Sequence, residues 1–260
     1  MAVTATSVLG RRCFLVQASK GVLAFAVLGL TAACSSRDDA TDVARGPGHS
    51  GSAAGLDWWR VDFAYVSAYV LVRGREAALV DCGLGSRADE IGAVLGAAGT
   101  GWDRVRHILI THAHIDHHQG LTEVTTRAPD AAVYAGAAET SELPGWLWRQ
   151  LRPVTDGEEI FGLHVIDTPG HTRGHIAVFD TESRVLVAGD ALNNTIDGLR
   201  GPMPEFTVDM RTAEESVRKL AAMEPQVILF GHGPPVQRDA AAQLRRLARS
   251  QSTDRVVEGP

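Results

Sequence analysis

The chain predicts a layered α/β domain, and three observations carry that reading. Strand-like and helix-like segments alternate from about residue 64 onward. The residues able to do chemistry stand just after strands. The size also fits, because roughly 200 ordered residues bury about 70% of their unfolded surface, enough for two sheets with helices outside.

In chain order, Ala64–Val72 and Ala77–Asp81 read as strands separated by an Arg73-Gly74-Arg75 turn. Arg87–Ala98 carries Ile91, Val94, Leu95 and Ala98 at helical spacing. Val105–Ile110 is an apolar strand ending at Thr111. Further strands are expected at Ala132–Ala135, Leu163–Asp167, Ile176–Phe179, Val185–Ala188 and Val227–Phe230. Helices are expected at Leu121–Arg127, Thr212–Met223 and Ala240–Arg249. Thr212 with Glu215 reads as a capping-box start, and Pro225 follows the exit.

Composition narrows the function. Apolar residues make up 45% and charged residues 22%, which excludes a collagenous or wholly disordered chain. The formal charge of −6 argues against a nucleic-acid binder. Three cysteines cannot build a disulfide framework. Of these, Cys82 follows an apolar strand and reads as a small buried residue.

The N-terminus reads as an export signal. Residues 1–33 contain Arg11, Arg12 and Lys20 and no acid, followed by an apolar run from Gly21 to Ala33. Such a run rises about 20 Å as a helix, short of the ~30 Å hydrocarbon core, so a signal fits better than a membrane span. Arg11-Arg12-Cys13-Phe14-Leu15 resembles a twin-arginine motif, and Thr31-Ala32-Ala33-Cys34 resembles a lipobox. The general secretory route stays open beside the twin-arginine one. Residues 34–55, rich in Ser, Asp, Gly and Pro, read as a flexible tether; 56–250 is the folded domain and 251–260 a tail. The expected location is therefore the outer face of the cell membrane, held by a lipidated Cys34, or the periplasm.

The segment Thr111–Gly120 reads T-H-A-H-I-D-H-H-Q-G. His112, His114, Asp116 and His117 crowd into six residues directly after a strand, and imidazoles and carboxylates are what first-row divalent metals prefer. In an extended segment His112, His114 and Asp116 point to one side. Three more candidates stand at strand ends: His171 in T-P-G-H-T-R-G-H, Asp190 in V-A-G-D-A and His232 in F-G-H-G-P-P. Seven such residues in this order point to a metal site.

These motifs, from about Ala64 to Pro235, resemble the metallo-β-lactamase superfamily, in particular its glyoxalase II-like hydrolases. The resemblance implies an αββα four-layer sandwich with metals at one edge between the sheets. It implies that His112, His114 and His171 bind one metal, that Asp116, His117 and His232 bind a second, and that Asp190 bridges them. It also implies that Asp81 supports the metal-site loop and that His175 is structural. Gln119-Gly120 stands where the family often has Gly-Gly, and Cys82 where threonine is frequent. His118 is an extra imidazole, expected to face solvent or support the site from behind rather than to ligate.

The expected cofactor is a pair of divalent ions, zinc by default, with iron or manganese also suited to an all-N/O ligand set. Such a pair supplies hydroxide near neutral pH for attack on an ester, thioester or lactone carbonyl, with Asp116 orienting the nucleophile. The expected partner is a small-molecule substrate. Only residues 233–260 follow His232, where glyoxalase II-like enzymes carry an added helical domain, so a glutathione thioester is not the expected substrate. A β-lactam is a minority reading, because lactamases commonly have Cys or Ser where Asp190 stands. A mononuclear-iron persulfide dioxygenase and a non-catalytic metal-dependent binding lipoprotein are the rivals from other classes. Leu143–Trp148 reads either as an apolar flap over the pocket or as tryptophans packed on the domain.

Overall fold

The computed structural model describes residues 50–147 and 151–253. The expected signal at 1–33, Cys34, most of the tether, Trp148 and residues 254–260 lie outside them. No helix among the described residues is long and apolar enough to cross a membrane.

One sheet takes its seven strands in chain order: β1 (Ser50–Ala53), β2 (Leu56–Asp62), β3 (Ser67–Arg73), β4 (Glu76–Val80), β5 (Val105–Ile110), β6 (Ala132–Gly136) and β7 (Leu151–Val154). The first four pair antiparallel, and β4 through β7 run parallel. The second sheet contains β8 (Glu159–Ile160), β9 (Leu163–Asp167), β10 (Ile176–Asp180), β11 (Val185–Val187) and β14 (Val227–Leu229), in the order β14-β11-β10-β9-β8. A separate hairpin joins β12 (Asn193–Thr195) to β13 (Gly198–Arg200). The helices are α1 (Ala88–Ala97), α2 (Ile115–His118), α3 (Leu121–Arg127), α4 (Met210–Ala222) and α5 (Ala240–Thr253).

Side-chain alternation makes four layers from these elements. On β3, Ala68, Val70 and Val72 point to the outer face and pack with Ile91 and Leu95 of α1 and with Leu121 and Val124 of α3. The intervening Tyr69 and Leu71 point the other way and meet Val165, Val178 and Leu229 of the second sheet. The far face of that sheet buries Phe179, Leu186 and Ile228 against Val217 and Leu220 of α4 and Leu244 of α5. Both sheets are covered on both faces, so β3 is buried almost throughout.

Most expected elements are present, with three corrections. Ala64–Val72 is not one strand. The Asp62 carboxylate accepts from the Ala64 amide at 2.9 Å, and the Phe63 amide donates to the Val66 carbonyl, so the chain turns before β3. Ala64 takes a positive φ of 81° there, and Tyr65 is thrown outward. The second correction concerns α4, which starts at Met210: Asp209 is the N-cap, accepting from the Thr212 amide and hydroxyl, so Thr212 lies inside the first turn. Third, Ser50–Ala53, at the end of the expected tether, pairs with β2 as a strand. Strands β2, β7, β8 and the β12–β13 hairpin were not anticipated. Charged Asp57, Arg60 and Asp62 interrupt the apolar pattern of β2. β7 contains Pro153, tolerated because β7 lies at the sheet edge.

The sheets are stitched together at one edge. The Ser67 amide donates to the Gly231 carbonyl, the Ile176 amide donates to the Thr111 carbonyl, and the Tyr69 hydroxyl donates to the Phe230 carbonyl at 2.8 Å.

A further link ties the strand ends remote from that edge. Buried Asp180 accepts from Arg73 Nη2 and from the Ser183 amide, both at 2.8 Å. Burial alone would raise the Asp180 carboxyl, but Ser183 and Arg73 outweigh it and hold it below the ordinary aspartate range. The folded pKa thus lies below the unfolded one, so this stabilisation is full at neutral pH and is lost as pH falls through the folded value. Asp180→Ala should cost about 1–3 kcal/mol at pH 7, discounted for the partly exposed Arg73. In urea unfolding, the gap between wild type and variant should shrink below about pH 4. An equal gap at pH 7 and pH 3 would refute the assignment.

Candidate metal centre

The ligand candidates arrive on four chain segments, each leaving a strand at the stitched edge. After β5, Thr111 continues extended and His112 and His114 project before α2 begins at Ile115, so Asp116 and His117 lie on that short helix. His171 follows β9, Asp190 follows β11 and His232 follows β14. Strand ends give the backbone freedom to turn while the sheets fix their spacing.

The seven residues form two groups, each with one donor atom per residue and all donors within 4.8 Å. His112, His114, His171 and Asp190 make the first, and Asp116, His117 and His232 the second. Asp190 reaches both. Its Oδ2 lies 3.5 Å from His171 Nε2, 3.9 Å from His112 Nε2 and 3.2 Å from His232 Nε2, while Oδ1 lies 3.4 Å from His117 Nε2. Asp116 Oδ2 stands 3.5 Å from His232 Nε2 and 3.9 Å from His117 Nε2. All seven are candidates that the sequence names.

Four histidines are aimed from behind. His117 Nδ1 donates to the Asp81 carboxylate at 2.8 Å, and His232 Nδ1 donates to the Tyr65 carbonyl at 2.6 Å. His112 Nδ1 lies 3.0 Å from Thr111 Oγ1, whose own proton goes to Asp81. His171 Nδ1 meets Thr207 Oγ1, which donates to the Met203 carbonyl. With each Nδ1 occupied, each Nε2 faces inward. Asp81 also accepts from the Thr111 amide, so one buried carboxylate fixes both the ligand loop and a ligand ring.

Burial pushes His112 well down and His171 to about 4, favouring the neutral rings that a cation needs. Burial works the same way on His117, but Asp190 and Asp81 outweigh it and raise that ring. Burial opposes the charge on Asp190 too, yet His117, His232 and His112 hold it well below the ordinary range.

The donor set fits divalent metal. His112 Nε2, His117 Nε2 and Asp190 Oδ1 are buried and have no hydrogen-bond partner among the described residues, an arrangement costing about 1–3 kcal/mol per group unless something satisfies them. His114 Nδ1 and His171 Nε2 face each other at 3.0 Å. Gly231 leaves the space required: a Cβ there would lie 2.1 Å from Asp190 Oδ1 and 2.5 Å from His117 Cε1.

The other two histidines near the centre are turned away. His175 Nε2 accepts from the Asp190 amide and its Nδ1 meets Thr168 Oγ1, so it positions the ligand loop. His118 is buried rather than solvent-facing, with Nε2 on the Ala113 carbonyl, and belongs to neither ligand group. Cys82 is buried in the apolar layer, as expected.

Sequence reasoning missed Glu139, in the turn after β6. Fully buried, its carboxylate accepts from the Ala113 amide (2.7 Å), the Thr172 hydroxyl (2.9 Å) and the Gly174 amide (2.8 Å). It pins the backbone between His112 and His114 to the loop following His171. No motif marks it; it is one acid in A-A-E-T-S-E.

Glu139→Ala would leave three donors unmatched beside the ligands. It should weaken metal binding about 10–100-fold by chelator competition while leaving the far-ultraviolet circular dichroism unchanged. Unaltered metal affinity in the folded variant would mean that Glu139 is structural filler.

Residues 61–232 match the profile of the metallo-beta-lactamase superfamily. Over 204 residues the chain is 31% identical to the probable metallo-hydrolase YflN of Bacillus subtilis, covering 61% of this chain and 75% of that protein. It is 35% identical over 150 residues to a hydroxyacylglutathione hydrolase of Rhodospirillum rubrum, covering 54% of this chain and 52% of the relative. The chain thus spans about half the length of that hydrolase. Among solved structures, a metallo-beta-lactamase family protein from Thermus thermophilus superposes with a TM-score of 0.58 at 26% identity, covering 78% of this chain and 80% of that one. A four-layer sandwich whose motif residues meet at one edge, together with a family match over most of the chain, establishes that this protein belongs to the metallo-β-lactamase superfamily and is a metal-dependent hydrolase.

Proposed function

We propose that the chain is a dinuclear hydrolase cleaving an ester, thioester or lactone. His112, His114 and His171 would hold one cation, Asp116, His117 and His232 a second, and Asp190 would lie between them. The observation that carries this reading is the division of seven donors into two groups that share the two oxygens of Asp190. A pair of divalent cations, zinc by default, would supply an acidified water at neutral pH and Lewis-acid polarisation of the carbonyl. The residues do the rest. Asp81, Thr111, Thr207 and the Tyr65 carbonyl hold the rings in one tautomer. The Asp190 carboxylate offsets part of the concentrated positive charge. Asp116 lines the cleft, where a carboxylate oxygen can accept a hydrogen bond from the attacking water and aim it at the substrate. The hydroxyacylglutathione hydrolase relative adds support for a thioester among the substrates.

Asp190→Ala should lose at least one metal per chain and about a hundredfold or more in kcat on whichever ester, thioester or lactone a substrate panel identifies. His118→Ala should keep both metals. Metal analysis beside kinetics, with circular dichroism to confirm folding, decides the matter. Full activity in folded Asp190→Ala overturns the dinuclear reading, and a metal lost from His118→Ala overturns the ligand assignment.

We also propose that the domain is exported and anchored through Cys34, on the strength of the Arg11-Arg12 pair, the apolar run and the small residues before that cysteine. In its own host the protein should sediment with membranes, and Cys34→Ser should release it. Wild-type protein that stays unprocessed in the cytosol would rule this out.

A further inference from the structure

Above the ligand atoms opens a cleft of about 480 Å³. His114, Asp116, Asp190 and His232 form its floor, and its walls are Tyr65, Ile115, Met203 and Phe206. Three of these walls are large apolar side chains left well exposed: Tyr65 at 58%, Ile115 at 61% and Phe206 at 58%. They account for half of the six most exposed large apolar residues among those described, a clustering that marks a binding surface. Holding metal does not require it.

Each wall segment is fixed to a candidate ligand. The Tyr65 carbonyl accepts from His232 Nδ1, and the Tyr65 ring stacks on that imidazole at 6.4 Å between centroids. Ile115 sits between His114 and Asp116 at the start of α2. The Met203 carbonyl accepts both the Thr207 hydroxyl that faces His171 and the Phe206 amide. Three distant segments thus present apolar groups at set positions over the same floor, so the wall is built into the site.

The cleft lacks what an anionic substrate needs. Among the described residues, no Arg, Lys, Asn or Gln side chain lines it, so beyond the floor no cationic or amide group there would pair with a carboxylate. Arg173 is exposed nearby and lines a depression that adjoins the cleft at His114 and also contains Glu139 and Glu142. At about 30 Å³ per water-sized unit, the cleft has room for roughly sixteen non-hydrogen atoms.

We propose that Tyr65, Ile115, Met203 and Phe206 form an acyl subsite that selects uncharged esters or lactones carrying an apolar chain over substrates carrying carboxylates. This rests on the hydrolase reading above.

The test uses the metal-loaded full chain and the p-nitrophenyl esters from acetate to octanoate, with S-lactoylglutathione as the anionic comparison. A fully buried methylene is worth about fourfold. In a half-open cleft about twofold per methylene is expected, so kcat/KM should rise at least tenfold from acetate to octanoate, chiefly through KM. S-lactoylglutathione should fall well below octanoate. Phe206→Ser and Ile115→Ser should bring the octanoate-to-acetate ratio towards one. As a readout independent of turnover, calorimetry should detect octanamide but not acetamide binding to wild-type protein, with octanamide binding lost in Phe206→Ser. If no ester is cleaved but octanamide binds in this pattern, the subsite stands and the hydrolase reading falls. If esters are cleaved without regard to chain length, or S-lactoylglutathione is preferred, the subsite is overturned and the hydrolase reading stands.

Discussion

The site depends on one constraint: several imidazoles must crowd together with their inner nitrogens converging on one centre. Left free, such rings would rotate to hydrogen-bond one another or the nearby carboxylates. Here a fixed acceptor holds the outer nitrogen of four of them, and the acceptors belong to the scaffold. Asp81 does most, gripping His117 directly and His112 through the Thr111 hydroxyl while it anchors the Thr111 backbone. Its positive φ of 61° places it at the point where β4 stops, and a buried carboxylate with several donors can bear that strain. The unsatisfied Nε2 and Oδ1 atoms at the centre follow from this outward tethering. The polar network is complete at its rim and open at its middle, as a metal site requires.

The fold serves this constraint by setting distances that no single segment could set. Two sheets stitched through Ser67, Thr111 and Tyr69 bring the ends of β5, β9, β11 and β14 to one edge. Small residues then permit the approach. Gly189 takes φ of 51° and has no room for a Cβ beside His175, and Gly231 leaves space against Asp190 and His117. The three apolar layers keep the scaffold rigid, so the loops at this edge can carry chemistry without determining the fold.

Around the metal-ligand geometry, the loops differentiate this chain. Of the stretch read from sequence as flap or packing, the described residues 143–147 do not line the cleft: Leu143 is buried in the outer apolar layer and Trp146 stands half-exposed; Trp148 lies outside the described residues. Tyr65, Ile115, Met203 and Phe206 line the cleft instead. Family membership fixes the scaffold, whereas selection among substrates belongs to such loop residues.

By itself the sequence picked out the candidate donor residues and the layered fold. Histidine and aspartate are unambiguous in their chemistry, four of them sit within six residues, and the others follow apolar strands whose period-two pattern needs no partner to be recognised. Burial on both faces made the strands legible as continuous apolar runs, such as Val105–Ile110. Tertiary structure alone decided whatever joins residues far apart in the chain. Glu139 reaches Thr172 across 33 positions, and Tyr65 meets His232 across 167. Neither contact leaves a local trace, because a lone glutamate in a turn and a tyrosine beside an apolar strand have many uses. The turn that exposes Tyr65 was hidden for the same reason: the apolar run from Ala64 to Val72 reads as one strand until the Asp62 carboxylate captures the Ala64 amide and bends it. Local pattern specifies elements and donors; the pairing of groups across the fold specifies which way they face.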